Sequence, residues 1–215
     1  MDPLSFVIWR FWYFFRDPER RVPPGKVVVS PADGIVLYVH DVAAGEMPSP
    51  VKGGVKVPLH ELFGAVDLSG EGTLIGVYMT PLSVHFNRAP IAGTVLKVVP
   101  RPAREGNRSM SRVFVRLLLG LPPFADGNTY VTQNARNTIV INGAFPAAVV
   151  QIADRYVNMI DCFVKEGESV GGGQKVGMIR MGSQCDLFIP KSAGVTIICR
   201  PGDKVRAGET VLGRY

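Results

Sequence analysis

The stretch VKEGESVGGGQKVGMIRMGSQCDLFIPKSAGVTIICRPGDKVRAGETVLG, residues 164 to 213, decides the fold class. Its β-prone runs QKVGMIRM, CDLFI and GVTIICR are too short for stable helices, and Gly, Pro or Ser sits in the gaps between them. Two of its parts resemble each other: VKEGESVGGGQKVGMI (164–179) and CRPGDKVRAGETVLG (199–213). Each begins apolar, passes a Gly-acid pair and a further Gly, and ends in a strand, as a tight turn does when it feeds a compact β-unit. This form resembles the half-motifs of biotinyl- and lipoyl-carrier barrels. A carrier needs a modifiable Lys at a hairpin tip flanked by small residues or Met, and no such triplet occurs.

Upstream the pattern continues from Lys26. KVVVS, GIVLYVH, TLIGVYM, TVLKVV, TIVI and AAVVQI are all β-prone and all bounded by turn formers. The reading is a mainly β chain: an antiparallel sandwich or barrel with a barrel-sandwich-hybrid-like C-terminal unit. Two stretches interrupt it. Residues 44–72 form a Gly/Pro-rich insertion. Residues 109–121 are apolar, with Arg112 and Arg116 one helical turn apart, and end before Pro122 and Pro123. They are expected to form either a lipid-facing helix or lid, or a surface helix whose apolar face closes the core.

The first residues differ from the rest. Leu4 to Phe15 read LSFVIWRFWYFF, then Arg16, Arg20 and Arg21 follow. The apolar run is shorter than the ~20 residues needed to cross a bilayer. Aromatic residues beside arginines suit a short N-terminal interfacial helix lying among lipid headgroups, so residues 1–25 are expected to be a membrane-interfacial segment and 26–215 the main domain. The net charge of +6 suits an anionic partner. No nucleic-acid-binding motif is present, so a membrane surface is the expected partner and nucleic acid is not. Three cysteines, Cys162, Cys185 and Cys199, are odd in number and lack ligand spacing, which argues against a disulfide framework or a metal site and for a reducing, cytoplasmic setting.

Three segments carry candidate chemistry. Ser-Pro-Ala-Asp-Gly, 30–34, reads as a turn containing the carboxylate Asp33. PLSVHFNRAPIAG, 81–93, brings together His85, Asn87 and Arg88: a neutral-pH proton carrier close to a fixed cation able to hold carboxylate or phosphate. RMGSQCD, 180–186, places Gly182-Ser183 between two β-runs, and a Gly before Ser leaves its carbonyl open to attack by the hydroxyl.

SPADG, PLSVHFNRAP with its Gly93, the Asn134-Ala-Arg-Asn137 run, and VKEGESV through IRMGSQCDLFIP are similar, in that order, to phosphatidylserine decarboxylases, especially the short form that includes archaetidylserine decarboxylases. The resemblance covers nearly the whole chain. It implies an inactive precursor that cuts itself between Gly182 and Ser183, giving a β-chain of residues 1–182 and an α-chain of 183–215 that stay together. Ser183 would become a covalent pyruvoyl group, the only cofactor implied and with no metal. The reaction implied is decarboxylation of the serine head group of a membrane phospholipid to ethanolamine, by a peripheral enzyme on the cytoplasmic face of the cell membrane and as a homodimer.

By the same resemblance His85 protonates the carbanion and Asp33 is the acidic member of the self-cleavage triad. Arg88, Asn87 and Arg136 are the implied substrate contacts. Three positions depart from the family's pattern, one of them Gln184, where the long bacterial form has Thr. Arg88 stands where longer bacterial enzymes carry a second His, so either His85 does both jobs or Asp33 acts as base with another partner; an Arg stays protonated and is no base. Ala135 replaces a Glu. The rival to the enzyme is a non-catalytic membrane-associated β-domain with a degenerate site.

Overall fold

Val, Ile and Tyr, whose branched or flat side chains pack well on a pleated surface, concentrate in the runs above, and each run contains a strand. The computed structural model describes residues 12–42, 46–47, 57–58, 70–121, 130–155, 159–180 and 183–215. In chain order its strands are β1 (Val27–Val29), β2 (Gly34–Val42), β3 (Glu46–Met47), β4 (Val57–Pro58), β5 (Gly72–Met79), β6 (Phe86–Arg88), β7 (Gly93–Arg101) and β8 (Arg136–Asn142). Then come β9 (Pro146–Ala153), β10 (Ile160–Cys162), β11 (Ser169–Val170), β12 (Lys175–Ile179), β13 (Ser183–Pro190), β14 (Thr196–Ile197), β15 (Lys204–Val205) and β16 (Val211–Arg214). Two helices, α1 (Ser111–Leu118) and α2 (Tyr130–Gln133), lie between β7 and β8. Most of the helix expected near the N-terminus, and most of the 44–72 insertion, lie outside the described residues.

The frame is an eight-stranded antiparallel sheet, in the order β11-β7-β8-β9-β13-β5-β2-β15, that curls into a half-barrel. Both of its faces are covered. One carries Val36, Ile75, Val77, Ile139, Val149, Cys185 and Leu187, closed over by residues such as Val28, Val176, Ile179 and Leu212. The other carries Tyr38, Leu74, Tyr78, Val140, Val150 and Phe188, covered by Met110 and Val113 around α1 and by Tyr130 and Val131 of α2. Double coverage is why the strands read as apolar runs with little polar alternation. Each large side chain so buried contributes about 1.5–3 kcal/mol.

The C-terminal repeat is real and is half of a larger duplication. Ser30-Pro-Ala-Asp-Gly34 opens β2 as Ala89-Pro-Ile-Ala-Gly93 opens β7, and the two exchange bonds: Val29 N–H donates to the Pro90 carbonyl and Arg88 N–H to the Pro31 carbonyl, both at 2.9 Å. The segment 199–213 docks on the first motif, with Gly208 N–H on the Ser30 carbonyl (2.9 Å) and Gly202 N–H on that of Val36 (2.8 Å). The segment 164–179 repeats this on the second, with Gly173 N–H on Ala89 and Gly167 N–H on Val95, both 2.8 Å. The paired glycines share left-handed backbone: φ is 84° at Gly167 and 95° at Gly202, and 76° at Gly173 and 75° at Gly208. Only glycine takes those turns at no steric cost.

Candidate active site

Ser183 is the first residue of β13, the strand between β9 and β5, and its register partners are Ala153 and Met79. It is fully buried. Its hydroxyl donates to the Met79 sulfur at 3.2 Å, a weak acceptor that leaves the oxygen lightly tethered. Gly182 lies outside the described residues. The Met79 sulfur is shared with Asn87, whose Nδ2 approaches to 3.6 Å and also reaches the Pro31 carbonyl at 3.4 Å. A buried amide relay runs back from there: Gln151 Nε2 donates to Asn87 Oδ1 and Asn137 Nδ2 to Gln151 Oε1, each at 2.9 Å. Gly177 makes room for it, since a Cβ there would lie 2.7 Å from Gln151 Nε2.

His85 precedes β6 and enters the same end of the sheet, two residues before Asn87, with its carbonyl accepting the Ile179 N–H at 3.3 Å. The ring is buried, and neither nitrogen completes a hydrogen bond with a described residue. Burial pushes its pKa down to about 3; the Ser83 backbone, short of full hydrogen-bond geometry, opposes this and the Arg16 charge adds to it. His85 is therefore neutral, with both nitrogens open to a partner.

Asp33 sits at the entrance to β2. Its Oδ1 accepts the Ala207 N–H at 2.7 Å and its Oδ2 pairs with Arg20 at 2.9 Å. Arg88 is nearly buried and engaged: Nη1 donates to the Gly173 carbonyl at 2.9 Å and Nη2 to Asp17 at 2.6 Å. Asp17 also pairs with Lys175 at 2.7 Å. Burial alone raises the Asp17 pKa, but Lys175 and Arg88 outweigh it and hold the carboxyl below its usual value. Arg136 is buried in β8, with Nη1 on the carbonyls of Val131 and Asn134. It lines a cavity of about 420 Å³ with Arg101, Asn137, Ala153, Met159 and Ile160. That cavity touches the site twice, through Ala153, which pairs with Ser183, and through Asn137, the far end of the amide relay. Asn134 is structural, tying Arg108 to the Ala153 carbonyl.

Sequence reasoning did not find Gln151, Met79, Asp17, Arg20 or Phe14. Nor did it find Asp186, which faces the other side of β13, fully buried, with Oδ2 accepting the Tyr38 hydroxyl and Oδ1 the Gln184 amide, each at 2.7 Å. Burial lifts its pKa to about 7 against those two bonds, since no cation stands among its hydrogen-bond partners. Gly76 is the concession that admits the Tyr38 ring, which would lie 2.4 Å from a Cβ there.

A family model described as phosphatidylserine decarboxylase matches residues 7–213. A phosphatidylserine decarboxylase proenzyme of Chlorobium phaeobacteroides is 34% identical over 205 residues, covering 94% of this chain and 78% of that protein. Another, from Desulfotalea psychrophila, is 31% identical over 203 residues with the same coverage. With the curled β-sheet and its buried serine, these likenesses define a carboxy-lyase. The chain belongs to the phosphatidylserine decarboxylase family.

Proposed function

We propose that the chain is a precursor that cuts itself between Gly182 and Ser183 and then decarboxylates the serine head group of a phospholipid, phosphatidylserine or archaetidylserine, releasing carbon dioxide. The observation that carries this reading is the buried, weakly held Ser183 hydroxyl at the head of a central strand, at the sheet end where neither nitrogen of the neutral His85 has a hydrogen-bond partner among the described residues. An unpaired buried polar atom costs about 1–3 kcal/mol and marks a group waiting for a partner.

In self-cleavage the Ser183 oxygen bonds to the Gly182 carbonyl carbon as the amide C–N bond breaks, and the hydroxyl proton passes to a base. Elimination across the Ser183 Cα–Cβ bond then expels residues 1–182 as a carboxylate. Hydrolysis of the dehydroalanine left at 183 releases ammonia and leaves the pyruvoyl group. His85 is the base this reading favours, because Asp33 already has both oxygens engaged. The pyruvoyl group supplies a carbonyl electron sink for the electrons left when carbon dioxide departs.

The chain's own residues supply the rest. β13 holds position 183 in register, buried surroundings exclude water, and His85 delivers the proton to the product's Cα. Arg136 and Arg101, beside the cavity, suit the substrate's anionic groups. Arg88 and Asn87 act from behind, through the contacts already described.

Membrane contact is supported by apolar exposure beside arginines: Trp12, Tyr13, Phe15 and Leu82 near the site, and Val115, Leu118 and Leu119 with Arg112 on α1. Among the described residues no helix is long and apolar enough to cross a membrane. The test is the intact mass of purified protein beside a Ser183→Ala variant. Two chains, the smaller starting with a pyruvoyl group at 183, are expected from the wild type and one uncut chain from the variant. A folded wild type that stays whole rejects the reading and favours a non-catalytic membrane domain.

A further inference from the structure

Residues 12–22 cross the site as a strap, and three inward side chains, spaced three apart, each meet one candidate residue. Phe14 stacks on His85 with ring centroids 4.1 Å apart and planes at 29°. Asp17 pairs with Arg88 at 2.6 Å, and Arg20 with Asp33 at 2.9 Å. The selection is not a general burial of greasy residues. Phe14 is completely buried while its neighbours Trp12 and Phe15 are 80% and 37% exposed. The Arg20 side chain is only 4% exposed and takes a second carboxylate, Glu209, at 3.3 Å.

The duplication sharpens the point. Arg88 occupies the position that Val29 holds in the other half, and Asp33 the position of Ala92. These are the charged departures between the two motifs, and the strap answers each with the opposite charge. A segment needed only to cover apolar surface requires neither pair, since ion pairs held this far from water offset their own desolvation only when the geometry is exacting.

We propose that Phe14, Asp17 and Arg20 are positioning residues of the decarboxylase site. Arg20 fixes the Asp33 carboxylate, Asp17 acts through Arg88 to fix β6 and the His85–Asn87 segment, and Phe14 sets the plane of the His85 ring and keeps water off it. The proposal rests on the roles given to His85 and Asp33 above. Among the described residues, the groups facing the His85 ring are Phe14 and Arg16 from the strap and the Ser83 backbone from the preceding turn. Arg16, held on the Tyr13 and Leu82 carbonyls, is the charged one.

Full-length Phe14→Ala, Asp17→Asn and Arg20→Gln chains, with Asp17→Glu and Arg20→Lys as conservative controls, are followed for self-cleavage on gels and for decarboxylation of detergent-dispersed phosphatidylserine across pH. Melting temperatures are recorded alongside. Asp17→Asn and Arg20→Gln are expected to slow cleavage about tenfold or more, as misplacement of a reacting group does, with partial rescue by the controls. Phe14→Ala is expected to move a limb of the pH profile up by more than one unit, as water returns His85 toward its ordinary pKa. An NMR titration of His85 in the uncut Ser183→Ala background, with and without Phe14→Ala, reads the strap independently of activity. An unchanged His85 titration, or rate losses that track melting temperature in every variant without rescue, overturns the proposal. A wild type that neither cuts nor decarboxylates, while the His85 titration still responds to Phe14, condemns the functional reading and leaves the strap standing.

Discussion

Asp186 is the residue whose environment and chemistry are most at odds, and stability should report it. Burial lifts its pKa from the ordinary carboxylate value of 3.8 to about 7, so over that range the folded state binds a proton that the unfolded chain has released. The group's favourable contribution is complete below pH 3.8 and is lost as pH rises to about 7. At 1.36 kcal/mol per unit, the loss is at most about 4 kcal/mol. Asn mimics the protonated acid: its oxygen accepts from Gln184 and its nitrogen donates to Tyr38. Denaturant titrations should find Asp186→Asn more stable than wild type by roughly 1–3 kcal/mol at pH 8 and nearly equal at pH 4. An equal deficit at both pH values would show the carboxylate to be satisfied as an anion. This residue was not legible in the sequence, where an Asp in CDLFI looks like the solvent-facing member of an alternating strand. Ser183, His85 and Asp33 stand out as candidates in the sequence because turn formers and a scarce residue type frame them, whereas the Asp17–Arg88 pair joins positions 71 residues apart that no local pattern connects.

At the scale of elements, α1 closes the core with one face, as one of its two sequence readings expects, and leaves a second apolar face exposed on which the lipid-facing reading can be tested. Met110, Val113, Phe114 and Leu117 pack on the second core, and the opposite side shows Val115, Leu118 and Leu119 at 50%, 70% and 66% exposure. The core has no use for those outward residues, and Arg112 stands among them. The two faces should therefore separate experimentally. Leu118→Ser with Leu119→Ser should lower flotation with phosphatidylglycerol vesicles severalfold, each lost contact being worth roughly 1 kcal/mol, and leave the melting curve nearly unchanged. Val113→Ala should cost about 1–3 kcal/mol of stability and leave flotation intact. Equal flotation by both variants would confine lipid contact to the N-terminal aromatics. Strands such as β5 and β13 were legible because both their faces are buried and they read as apolar runs. β6, β10 and β15, at two or three residues, are too short to show any period, and none of them lies in a run read as β-prone.

At the scale of the molecule, the position of the Gly182–Ser183 junction dictates what cutting can do. The segment from 183 onward is no appendage: β13 pairs through eight residues with β5 and six with β9, β16 lies between β1 and β14, and β15 closes on β2. All three cysteines are free, so no disulfide holds the segment. Its retention after the proposed cut would rest on ladder bonds and on burial of Leu187, Phe188, Ile189 and Leu212. Side chains buried at about 1.5–3 kcal/mol each, together with two flanking strands, outweigh the loss of one covalent tie. The duplication explains why: segment 199–213 docks on the first motif, so its loss would open β2 and the Asp33 loop. The processed protein should elute from a native sizing column with both chains present and unfold in one transition, and mixing the separated chains should restore it only in a concentration-dependent step. Loss of the 183–215 peptide on the native column would mean that the cut loosens β13. Position 183 would then be unable to keep its register with Met79 and Ala153.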